Sequence, residues 1–175
     1  PILTTFGRQN RKDHKETYDF VYNQICEKAS YNDLNILKNS LCFNPIVIIT
    51  VLYRSLISLC EFNEISFKDK LILAIQSVHY ANTICYLEKL QLNRVKKYLS
   101  MYNATQYENL ITQYMKLKNI TTYSLCEGVY VVEEKHPNID TVNYKNLETD
   151  HLIVWGQYIV DEFSNYGIHS ARMCV

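Results

Sequence analysis

Residues 45–60 read "PIVIITVLYRSLISLC", an apolar run broken by a single charge, Arg54. The run is too long for a strand, which averages roughly five or six residues, and too short for a membrane helix, which needs roughly twenty. Asn44 stands in front of it as an N-cap and Pro45 takes the first helical position, where its missing N–H costs nothing. The segment therefore reads as a helix, apolar nearly all round. A helix of that kind is expected at the centre of a fold with neighbours on several sides.

The same three-to-four residue beat extends outward from this run. A helix is expected from Asp13, with Glu16 as its capping-box partner and Tyr18, Val21, Tyr22, Ile25 and Ala29 inward. Leu34, Leu37 and Leu41 suggest a short one over 33–42. Ser66 with Asp69 opens a further helix that reaches Leu90. "QLNRVKKYLSMY" (91–102) reads as a basic amphipathic helix, and Thr105 with Glu108 starts another carrying Leu110, Ile111 and Tyr114.

After Lys118 the texture changes. "TTYSLCEGVYVVEE" is rich in β-branched and aromatic residues and predicts a strand or hairpin arm near 122–134. Thr149 or Asp150 then caps "HLIVWGQYIVDEF", a closing helix that ends before Gly167. Four Gly and three Pro leave little turn vocabulary for a sandwich of many short strands. The expected fold is mainly α: a compact bundle of six to seven helices with one short extended segment. Its parts are an extended basic arm (1–12), a helical body (13–118), and an extended segment plus closing helix (119–175) on the same domain.

Within 69–90, His79 and Asn82 interrupt the apolar pattern. A kink or break is expected at 79–82, with His79 structural. Leu71, Ala74 and His79 resemble one ankyrin-type helical pair. Val78 stands where that family has Gly, Asn82 fills a usually apolar position, and no second copy follows 33 residues on, so no solenoid is expected.

Eighteen basic and eighteen acidic side chains cancel, so any attraction to nucleic acid needs a local patch. Two clusters qualify. Arg8, Arg11, Lys12 and Lys15 lie on the arm; Arg94, Lys96 and Lys97 lie beside Tyr98 and Tyr102 on the basic helix. Cations interleaved with aromatics suit single-stranded RNA or DNA. Fifteen tyrosines spread through the chain dilute that signal, and a solvated helix face is the plainer account.

Catalytic patterns are sparse. Four isolated glycines make no phosphate loop, and the histidines and cysteines show no paired metal-ligand spacing, so no metal or cofactor is expected. The candidate nucleophile is Cys126, with His136 or His151 as base. Trp155, Gly156 and Tyr158 form the candidate partner-binding group, since aromatics anchor interfaces and Gly allows close approach. The Trp155-Gly156 pair is similar to a Trp-Gly pair in the Bcl-2-like helical bundles, with Gln157 where that family holds its ligand-binding Arg.

Six widely spaced cysteines, mostly in apolar runs, read as core thiols of a cytoplasmic protein. The minority reading is a secreted, bridged chain with sequons at Asn103 and Asn119. Asn, Ile, Lys and Tyr supply about a third of the residues, a bias of AT-rich coding that points to a viral or protozoan source. The functional expectation is a non-enzymatic helical module that binds a protein or itself, of viral origin and acting on host proteins. Single-stranded nucleic-acid binding is the alternative, and a Cys–His enzyme the third.

Overall fold

A computed structural model describes residues 2–4, 16, 20, 31–33, 44–100, 106–126 and 143–175. They fall into two compact units: residues 1–35 with 93–175, and residues 36–92.

The first unit is built on a parallel sheet, which overturns the expected helical bundle. Its strands are β1 (Ile2–Thr4), β2 (Tyr31–Asp33), β3 (Lys97–Ser100), β4 (Thr121–Leu125), β5 (His151–Ile153) and β6 (Met173–Cys174), in the order β2-β1-β3-β4-β5-β6. All five pairings are parallel. Helix α3 (Gln106–Leu117) joins β3 to β4, and α4 (Gln157–Asn165) joins β5 to β6. Both connections step the same way along the sheet, so right-handed crossovers put both helices on one face.

Register and alternation sort the side chains. Leu152, Val154, Met173 and Cys126 pack with Tyr144, Leu147, Ile159, Phe163 and Ile168 under α4. Lys97, Leu99, Tyr123, Leu125, His151 and Ile153 alternate to the opposite face. Tyr98, Leu99 and Ser100 are all buried, the mark of a central parallel strand covered on both sides.

Two expected elements change identity here, and a third gains neighbours. The basic helix over 91–102 is a 3-10 turn (Leu92–Arg94) followed by β3, because successive residues of "KYLS" are needed on both faces of the sheet. The closing helix from Thr149 or Asp150 is strand β5 and, after Trp155 and Gly156, helix α4. Of the expected extended arm (1–12), the described residues Ile2–Thr4 are extended and lie between two strands as β1. The expected β segment is present as β4; residues 127–134 lie outside the described set. So do most of the helix from Asp13, of which Glu16 and Phe20 are described and helical, and all of the helix expected over 33–42 except Asp33, which ends strand β2.

The second unit contains an antiparallel pairing of α1 (Pro45–Cys60) and α2 (Phe67–Glu88), packed along each other. The expected caps are in place. Ile46 N donates to Asn44 Oδ1 at 3.1 Å, and Asp69 N to Ser66 Oγ at 3.2 Å. Helix α2 runs through 79–82 without the expected break. His79 is exposed and Asn82 only half-buried, so neither forces the chain to turn, and no Gly or Pro interrupts the backbone.

Candidate functional site

The chemistry-bearing residues do not converge. Cys126 is 1% exposed, in the cluster under α4, and its backbone N donates to Ile153 O at 2.9 Å. His151 pairs in register with Tyr123, three residues back along β4, which separates it from Cys126 by roughly 10 Å along the strands. It also points to the other face. The two cannot form a nucleophile–base pair, and His136 lies outside the described residues.

His151 is instead part of a row across the sheet. Its ring stacks on Tyr123 at 5.0 Å between centroids, and Lys97 Nζ lies 5.4 Å from the Tyr123 centroid. The Nδ1 atom of His151 is buried without a hydrogen-bond partner. No group of three or more His, Cys, Asp or Glu that would hold a metal occurs among the described residues.

Of the two basic clusters, one lies among the described residues. Arg94, Lys96 and Lys97 precede or begin β3, at its amino end. Strand β1 runs parallel to β3 and ends at Thr4, four residues before Arg8 in the sequence, with Arg11, Lys12 and Lys15 further on. Those four residues and Tyr102 are outside the described set. Tyr98 is 0% exposed and offers no ring face to a base, while Arg94 and Lys96 are exposed.

Trp155 and Tyr158 are exposed at the carboxyl end of β5. Trp155 Nε1 donates to Cys126 O at 2.8 Å, which fixes the indole at the mouth of the β5–α4 connection. Gly156, with φ of 151°, precedes the first turn of α4 in a conformation that favours glycine. Ile159 and Phe163 face the sheet and Tyr158 faces out.

A polar cleft of about 520 Å³ opens at the amino ends of β4–β6, lined by Lys116, Lys145, Glu148, Thr149, Asp150 and Arg172 among others. Most of its charges already hold backbone. Arg172 Nη2 donates to Leu147 O and Thr149 O at 2.7 and 2.6 Å, and Lys116 Nζ to Glu148 O at 2.7 Å. Asp150 Oδ2 accepts from Thr122 N and Oγ1, both at 2.8 Å. The cleft is the brace that seats residues 147–150 ahead of β5.

The unspent surface is on the helical hairpin. Among the described residues, ten of the fifteen large apolar side chains that are exposed belong to 46–75: Ile46, Ile49, Tyr53 and Ile57 on α1, then Phe62, Phe67, Leu71, Ile72, Leu73 and Ile75. None of the 16 residues of α1 is buried. Its half-buried set, Val47, Ile48, Val51, Leu52, Leu56 and Leu59, occupies one side, and the exposed stripe at 46, 49, 53 and 57 occupies another. The run read from sequence as a central helix thus packs, among the described residues of its unit, along one helix, and the stripe at 46, 49, 53 and 57 is open. Sequence reasoning missed this stripe, although the all-round apolarity that leaves it uncovered was the signal that stood out first.

Set against known proteins, the chain matches no family model, no curated protein and no solved structure.

Among the described residues no helix is long and apolar enough to cross a membrane. The described cysteines are all free, and the expectation of core thiols fits Cys126 but not Cys60 or Cys174, which are exposed.

Proposed function

We propose that this chain is a non-enzymatic protein-interaction protein of the cytoplasm, in which a parallel α/β unit carries an apolar helical hairpin as the binding element. One observation carries the reading: α1 is apolar nearly all round, interrupted by Thr50, Arg54 and Ser58, yet no residue of it is buried. The four exposed side chains of the α1 stripe alone amount to roughly 500 Å², at the upper end of the roughly 300–600 Å² of the largest patch on a typical monomer. Leaving that surface in water forgoes the hydrophobic gain that a partner would supply. Widely spaced cysteines in apolar runs, with Cys126 buried in the core, support a reducing compartment.

The test is a photo-cross-linker, p-benzoylphenylalanine, replacing Tyr53 in cells that express the chain. A covalent protein adduct is expected, lost on Ile49→Glu and absent when the cross-linker replaces the exposed Gln113 of α3. No adduct at 53 sinks the reading.

A second reading, binding of a phosphate-bearing ligand, is favoured by the strand order. The order reverses between β1 and β3, and open parallel sheets take ligands in the crevice beyond the carboxyl ends at such a reversal. Arg8 follows Thr4 by four residues, within roughly 14 Å of that end at full extension. Here the measurement is thermal unfolding with added ATP or pyrophosphate. A rise in Tm is expected, removed by Arg8→Ala with Arg11→Ala and kept by Arg94→Ala with Lys96→Ala; no rise in the unaltered chain counts against it.

A further inference from the structure

Resting on the reading of the hairpin as a protein interface, we propose that its partner is a second copy of this chain, with α1 lying antiparallel to the partner's α1 about a two-fold axis at Tyr53.

The stripe itself carries the argument. Ile46, Ile49, Tyr53, Ile57 and the exposed Cys60 lie within roughly 80° of one another around the helix axis at 100° per residue. Their spacings are three, four, four and three, a sequence that reads the same from either end. A two-fold interface requires that if one residue meets another across it, the reciprocal contact also exists. Reversal about Tyr53 provides this: Ile46 meets the partner's Cys60, Ile49 meets the partner's Ile57, and Tyr53 meets the partner's Tyr53. An unrelated partner would have no use for such symmetry.

Area and charge agree. The stripe without Cys60 exposes roughly 500 Å², the larger part of the roughly 800 Å² per subunit in an interface of standard size. Exposure along it is 74% at Ile46, 67% at Ile49, 65% at Tyr53 and 49% at Ile57, so it is open along its whole length. Arg54, the one charged residue of α1, sits 100° around the axis from Tyr53, off the seam. Antiparallel helices also set their dipoles in the favourable sense. A bilayer surface fits less well. Helices that lie in the interface set a broad cationic face against the apolar one, and α1 carries a single cation, Arg54, flanked along the helix by the uncharged Thr50 and Ser58.

The experiment uses the full chain. Sedimentation equilibrium is expected to give a dimer, and Tyr53→Glu, which places two carboxylates at the axis, should weaken it at least ~100-fold with an unchanged far-ultraviolet spectrum. Tyr53→Phe should leave it dimeric. In Ile46→Cys, a short bis-maleimide should join residue 46 of one copy to residue 60 of the other, identified by mass spectrometry and lost when Cys60→Ser is added. A chain that stays monomeric at high concentration overturns the proposal, as does a cross-link pattern of 46 to 46 and 60 to 60. If the monomeric chain still gives a protein adduct at position 53, the interface reading survives and only the second copy falls. If it gives none, or if it sediments instead with anionic phospholipid vesicles, both fall.

Discussion

Gly167 and Asn119 hold the same position at the ends of two helices. After α4, Gly167 has a φ of 84°, Ile168 N donates to Phe163 O at 3.0 Å and Gly167 N to Ser164 O at 3.0 Å. After α3, Asn119 has a φ of 57°, Ile120 N donates to Met115 O at 3.0 Å and Asn119 N to Lys116 O at 2.9 Å. Both are Schellman endings: a left-handed residue turns the chain so that the next apolar side chain, Ile168 or Ile120, drops onto the helix just finished. Gly suits that backbone at no steric cost, and Asn is among the few other residues that visit it readily. Gly167→Ala therefore should cost about 1 kcal/mol of stability, read as a lower urea midpoint at constant slope. A Cβ there would approach only Lys145 Nζ at 3.9 Å, so the loss would come from the backbone and not from a clash. An unchanged midpoint would refute the assignment. The sequence showed the stop at Gly167 plainly, because Gly is a helix terminator with a physical cause. It did not show that Asn119 does the same, since an Asn before Ile-Thr reads as readily as a surface sequon.

At the level of elements, legibility followed the length of the apolar pattern. Helices α1 and α2 were readable because their caps and runs are long enough to exclude a strand. The opposite holds for β3 and β5. "KYLS" sits inside a stretch whose Leu92, Val95, Leu99 and Tyr102 mimic a helical face, and "HLI" is continuous with "VWGQYIV". A run of three or four apolar residues fits a buried strand and a helical turn equally, so local periodicity cannot decide. What decides is tertiary: Tyr98 and Leu99 are buried on opposite faces, a demand only a covered sheet makes. The same ambiguity displaced the candidate sites. With β3 in place of a basic helix, Tyr98 goes inward and Lys97 lies over Tyr123, leaving Arg94 and Lys96 exposed at the strand's amino end. With β4 and β5 in parallel register, Cys126 and His151 are set on opposite faces. Trp155 and Tyr158 kept their exposure because they follow a strand and begin a helix at the sheet's rim.

For the whole molecule, strand order was beyond the reach of one sequence. The chain pairs β1 with β3 across more than ninety residues, and a compact unit of residues 36–92 intervenes between the two halves of the sheet unit. No local pattern encodes a contact of that separation; it is fixed by burial, once β3 and β4 have both faces covered. That arrangement has a measurable consequence for local stability. Residues Tyr98, Leu99, Ser100, Thr122, Ser124 and Leu125 are all buried, and β3 and β4 each have hydrogen-bonded neighbours on both sides. Strand β6 is two residues long, sits at the sheet's edge, and ends in the exposed Cys174. Amides of central strands open only with the global transition, whereas edge amides exchange through small local openings. Native-state hydrogen exchange should therefore rank β3 and β4 slowest and β6 fastest, with a spread of at least ~100-fold, about 3 kcal/mol in opening free energy. A helical bundle would give no such ranking: protection over 97–100 would then follow a helical period instead of marking every residue. Exchange at Cys174 as slow as at Leu99 would mean that β6 is not an edge, and the strand order would have to be redrawn.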